Sequence, residues 1–179
     1  MTGHAPIRLW LMRAGFIVLA LTVLFFQLLP LETTPRRFAG PDLLMGFAYA
    51  WVLRRPEYVP VVLVALMLLI ADFLLGRPPG LWAALVLIGY ESLRTRSTSL
   101  RNMPFTVEWA TVATVMVLVV LAYRLILAML IVDDPSLWLA LIQLAMTVLC
   151  YPLLVALSRF GFGLRKATLG EVNALGERQ

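Results

Sequence analysis

The sequence predicts an all-α polytopic membrane protein with six transmembrane helices and both termini in the cytoplasm, and three observations carry that prediction. The 179 residues are 61% hydrophobic with a mean hydropathy of +0.90, more apolar surface than a soluble domain of this size can hide. The apolar residues fall into six runs close to the roughly 20 residues that a helix needs to cross a hydrocarbon core about 30 Å thick. The basic residues, fourteen arginines and one lysine, lie mainly between those runs rather than in one stripe. That distribution fits membrane topology and argues against a nucleic-acid-binding face.

In chain order, the first run spans Leu9 to Leu29, with Arg13 near its start and Pro30 closing it. Phe38 to Leu53 is short, more so if Pro41 opens the helix as its first residue, where a missing N–H is harmless. Val59 to Leu75 carries Asp72 near its end, and Pro79 to Leu93 is short again. Val107 to Val132 contains Arg124; Leu137 to Leu157 contains Gln143 and Pro152. The expected organisation is one six-helix domain over residues 1–158 and a basic cytoplasmic tail over 159–179. The first run is long and "LLPLETTPRR" after it offers no small-x-small cleavage pattern, which favours an uncleaved span over a signal peptide. Trp10, Trp51, Trp82, Trp109 and Trp138 each lie within a few residues of a run's end, as in an interfacial belt.

Six spans with cytoplasmic termini place eleven Lys and Arg residues inside and three, Arg36, Arg37 and Arg77, outside. Five spans, with the second run not crossing and the N-terminus outside, give the same ratio. Six is preferred because "LLMGFAYAWVL" carries no charge and needs an apolar place to go.

Little in the chain points to chemistry. The single Cys150 lies in an apolar run and the single His4 near the N-terminus, so no disulfide framework, metal site or cofactor is expected. No span holds a histidine, no two carboxylates share a depth, and there is no Gly-x-Ser-x-Gly or phosphate-cradling loop. The expectation is a protein that is not an enzyme.

The stretch "IADFLLGRPPG" raises the sharpest question, because Asp72 places a carboxylate where it is costly. Gly76 suits the left-handed end of one helix, Pro78 or Pro79 the start of the next, and Gly76 and Gly80 permit close helix approach. Asp72 either reaches interfacial water or Arg77, or is held by Arg124, which belongs to a span running the same way and has a stem long enough to reach it. Glu91 with Arg94, and Glu108 beside Trp109, are expected as solvated anchors at the cytoplasmic boundary.

Between Pro41 and Trp109, "PDLLMGFAYAWVLRRPEYVP", "DFLLGRPPGLWAALVL" and "RNMPFTVEW" resemble the MreD family of bacterial rod shape-determining membrane proteins. The residues that carry the resemblance are Pro41 and Asp42, Tyr49 and Trp51, Pro56, and the D-x-x-x-G-x-x-x-G of Asp72, Gly76 and Gly80. The Pro78–Pro79 pair departs from that pattern. The resemblance implies a non-catalytic scaffold of the elongation machinery in the inner membrane. Its partners would be the bitopic MreC, the actin-like MreB, and the glycosyltransferase and transpeptidase that build lateral peptidoglycan. Partner helices would dock on small residues such as Gly46, Ala48 and Ala50. The alternative is a solute-binding membrane subunit of a transporter, suggested by two short Gly/Pro-interrupted runs. Against it, "MGFAYAW" and "WAALVLIGY" offer almost no polar groups to grip a solute.

Overall fold

A computed structural model describes residues 4–29, 40–130 and 137–164, and among them the only regular elements are helices. These are α1 (His4–Leu28), α2 (Leu43–Arg54), α3 (Val61–Leu74), α4 (Leu81–Leu100), α5 (Phe105–Met129) and α6 (Leu137–Phe162). Three are long and apolar enough to cross a membrane: Ile7–Leu28 within α1, α5 and α6. The apolar α2 and α3 have 12 and 14 residues, about 18 and 21 Å at 1.5 Å per residue.

The short α2 is the centre of the fold. Every residue from Leu44 to Arg54 is buried, and α2 packs on α1, α4 and α6. The other helices form a ring in which α1 meets α3, α3 meets α4, α4 meets α5 and α5 meets α6. Phe162, at the end of α6, approaches Gly15 of α1. Inward faces follow the three-to-four spacing of an amphipathic helix. On α6 they are Thr147, Tyr151, Leu154 and Ser158; on α4 they include Trp82, Val86, Gly89, Leu93, Ser97 and Leu100, with Ala83 and Tyr90 buried beside them. The outward faces are apolar, with Phe25, Leu118, Leu141 and Phe160 exposed, a surface suited to acyl chains rather than water.

This arrangement changes several expectations. Gly46, Ala48 and Ala50 are used inside the bundle instead of offering a dock: a Cβ on Gly46 would collide with Leu154 Cδ1 of α6, and the two alanines are buried. Small residues on the central helix let its neighbours close in. Trp51 and Trp82 belong to the core and not to an interfacial belt, whereas Trp10 and Trp138 are exposed. Proximity to a helix end sets the depth of a tryptophan but not the face it occupies.

Helix limits differ as well. α2 opens at Leu43 with Asp42 as its N-cap, the carboxylate accepting from Met45 N at 3.0 Å, so Pro41 lies outside the helix. α4 opens at Leu81 after Gly80, so neither Pro78 nor Pro79 starts it. α6 continues past residue 158 to Phe162, and Leu164 folds back into the core; residues 165–179 of the expected tail lie outside the described residues.

Pro152 sits inside α6 and has no N–H to give the carbonyl four residues earlier. That carbonyl, Val148 O, accepts from Trp109 Nε1 at 2.9 Å. The proline thereby creates the acceptor that joins α5 to α6.

Gly89 marks the closest approach of α4 to its neighbours. A Cβ there would meet Tyr49 Oη and sit 2.9 Å from Val115 Cγ1 and 3.1 Å from Val119 Cγ2. Tyr49 cannot retreat without losing its bond to Val86 O at 3.1 Å. Gly89→Ala is therefore expected to destabilise the purified protein by roughly 1–3 kcal/mol, the usual range for overpacking. A thermal melt in detergent beside the unaltered chain checks this, and an unchanged midpoint would show that the helices separate freely.

Candidate functional site

The polar residues singled out in the sequence converge at the end of the bundle where α2 begins and α3 turns into α4. α3 ends with Arg77 N donating to Asp72 O at 3.0 Å and Gly76 N to Phe73 O at 3.4 Å, the paired bonds of a Schellman ending. Gly76 at φ +64° makes that ending possible, because a left-handed residue is strained by any Cβ. Gly80, at φ +82°, is the N-cap of α4 and has no side chain to cap with.

Asp72 supplies the missing cap from the preceding helix. Its Oδ2 accepts from Gly80 N and Ala83 N, both at 3.0 Å; Ala83 is the third residue of α4, whose amide an N-cap aspartate would serve in cis, and Gly80 N is the amide of the N-cap residue itself. The partial positive charge at a helix N-terminus adds to the attraction. Asp72 is thus held by backbone amides of α4, and Arg124, half-buried on α5, is not among its partners. Capping decides the partner: the free amides that open the next helix, eight and eleven residues on, are nearer than a cation on α5.

Arg77 joins this turn to α2. Its guanidinium lies 3.5 Å from Asp42 Oδ2 and 5.0 Å from the centre of the Trp82 ring. Trp82 in turn meets Tyr123 of α5 edge-on. Asp42 N donates to Thr147 Oγ1 at 2.9 Å, while Thr147 donates to Gln143 O, so the start of α2 is tied to α6. Asp42, Asp72, Gly76 and Gly80 therefore form one clamp with Arg77 and Trp82. Beside it is a cleft of about 10 Å³ whose polar lining is Gln27, Asp42 and Arg77.

The other end of α2 carries a second clamp. Arg54 Nη2 lies 3.0 Å from Glu108 Oε1, with 5% of the arginine and none of the glutamate exposed. Arg54 Nη1 also donates to Ala50 O, and Tyr151 Oη donates to Glu108 Oε1, each at 3.0 Å. Glu108 is therefore a core residue instead of the solvated anchor expected from its place at a run's end. A signal did exist in the sequence: the charge count puts the end of the second run and the start of the fifth on one side of the membrane. Glu91 and Arg94 do form an exposed pair at 3.3 Å.

Tyr49 and Trp51 act between the clamps. Tyr49 reaches α4 through Val86 O; Trp51 donates to Ser158 Oγ at 3.1 Å and lies edge-on between Phe16 and Phe162. Pro56 sits in the turn between α2 and α3, where Tyr58 N donates to Arg55 O, and Tyr90 Oη donates to Val59 O just beyond. Asp42 at the N-terminus of α2 and Arg54 at its C-terminus also complement the helix dipole. The arrangement holds a short central helix at both ends. Among the described residues, no three His, Cys, Asp or Glu side chains gather where they could hold a metal.

No family model, no curated protein and no solved structure matches this chain, so a functional reading rests on the residues and the geometry above.

Proposed function

We propose that the chain is a non-catalytic, MreD-like scaffold of the bacterial elongation machinery in the inner membrane. It would cross six times with both termini in the cytoplasm and work with MreC, MreB and the lateral peptidoglycan synthases. The observation that carries this reading is that Asp42, Asp72, Gly80, Tyr49 and Trp51, which carry the resemblance, all join one helix to another, and that Asp42, Tyr49 and Trp51 do so from α2. A bundle whose helices are tied together by buried polar side chains in this way is suited to present rigid outer faces to partner helices. The arginines that follow α2 and end α4, including Arg55, Arg94 and Arg96, suit a cytoplasmic edge.

Depletion in a rod-shaped host is expected to round the cells before growth stops, and the solubilised protein is expected to copurify with MreC. Unchanged shape with loss of uptake of one solute would support the transporter reading, for which the polar-lined cleft at Asp42 and Arg77 is the candidate site. That cleft, about 10 Å³, has room for about one water, whereas small-molecule pockets are some 300 Å³ or more. The transporter reading therefore requires the Asp42–Arg77 clamp to open.

A further inference from the structure

We infer that the face formed by α3 and α4 compresses the bilayer, so that the protein carries a collar of thinned phospholipid on that side only. The inference rests on the membrane-spanning reading and not on the scaffolding role.

Two adjacent helices give the same short apolar height. On α3, exposed apolar side chains run from Val62 through Leu66 and Phe73 to Leu74, about 18 Å at 1.5 Å per residue. The nearest charges lie just beyond that stretch: Glu57, exposed and paired with Arg55, five residues before Val62, and Arg77, whose side chain is 24% exposed, three residues after Leu74. α4 packs against α3 and exposes Ala84 and Ile88, but Glu91 and Arg94 follow as an exposed pair. From Leu81 to Glu91 is about 15 Å. By contrast α6, which is not a neighbour of α3 in the ring, exposes apolar side chains from Leu137 to Leu157 before the exposed Arg159, about 30 Å and enough to cross a core of about 30 Å.

The mismatch has few ways to relax. Tilting shortens a helix's reach further and serves only spans that are too long. Sliding α3 and α4 along the bundle is opposed by the bonds from Asp72 to Gly80 and Ala83 and by the Arg77–Asp42 pair. Snorkelling moves a charge by only a few ångströms. Keeping a full-thickness bilayer would draw Arg77 at one end, or Glu91 and Arg94 at the other, into hydrocarbon. Local thinning is the milder response to a short span. The occupant of this face is therefore ordinary phospholipid, with acyl chains compressed along α3 and headgroups drawn down to Arg77 and Glu91.

The test uses the full chain reconstituted in phosphatidylcholine with monounsaturated chains of 14 to 22 carbons. The thermal midpoint is expected to be highest at 14 or 16 carbons and to fall by several degrees at 22. A flat series, or a maximum at 20 or 22, overturns the inference. A second measurement places single cysteines, in a Cys150→Ser background, at Arg77, Glu91 and Leu153, and labels them with a membrane-impermeant maleimide in 18-carbon vesicles opened to both sides. Arg77→Cys and Glu91→Cys are expected to react at least ten-fold faster than Leu153→Cys. Protection of both to the level of Leu153→Cys overturns the thinning while leaving the membrane reading intact. Rapid labelling of Leu153→Cys itself would show that the chain is not embedded, and both readings would then fall. If a cysteine variant does not fold, the thickness series on the unaltered chain decides alone.

Discussion

Replacing Glu108 with alanine is expected to lower the stability of the solubilised protein by roughly 3–5 kcal/mol, the usual loss when one partner of a buried ion pair is removed. The geometry sets this size. Arg54 and Glu108 are both buried and 3.0 Å apart, so alanine at 108 leaves a guanidinium in the core without its carboxylate, still donating to the Ala50 carbonyl. It also removes the acceptor of the Tyr151 hydroxyl. Arg54→Met should also be damaging, because it takes from the buried carboxylate the guanidinium 3.0 Å away. The double change Arg54→Met with Glu108→Leu should recover most of the loss, since no unpaired charge remains and both side chains still fill their sites. A double-mutant cycle scored by denaturation measures the coupling. Single losses below about 1 kcal/mol, as for solvated pairs, would show that water reaches the pair.

Asp72→Ala is expected to be the second most damaging change, at roughly 2–4 kcal/mol. A lost helix cap accounts for about 1–2 kcal/mol and a stranded buried donor for about 1–3; here both the Gly80 and the Ala83 amides lose their acceptor. Asp72→Asn keeps a side-chain oxygen of the same reach and should lose less than half as much. The contrast between the two separates capping from ion pairing, because an ion pair would be abolished equally by both. Arg124→Gln combined with Asp72→Ala should be additive within about 0.5 kcal/mol, as for residues that share no partner. A clear interaction energy between them would restore the ion-pair account.

The aspartate to two glycines spacing was legible because its consequences are local. Asp72, Gly76 and Gly80 lie within one helix end and the next helix start, where backbone geometry and capping limit what each residue can do. The partner of Asp72 is less legible, because a carboxylate in an apolar run suits water or a cation as well as the four unpaired amides at a helix start. Arg54 with Glu108 was not legible in the same way. Those residues are far apart in the chain, and no spacing rule relates them. Each alone reads as a charge at a membrane boundary.

Composition and the punctuation of apolar runs by Pro, Gly and Arg were enough to determine a helical protein with segments long and apolar enough to cross a membrane and to place its helices, because hydrophobic transfer and backbone capping act over a few neighbouring residues. Which helix is central was decided only by the tertiary structure. α2 is apolar all round, which is compatible with either lipid or protein on every side; enclosure by α1, α4 and α6 made it a core. That choice turned Gly46, Ala48 and Ala50 from a docking stripe into packing contacts and moved Trp51 from the interface to the interior. It also gave Glu108 a buried partner. Burial depends on how faces from distant parts of the chain are matched, and that matching is a property of the assembled bundle.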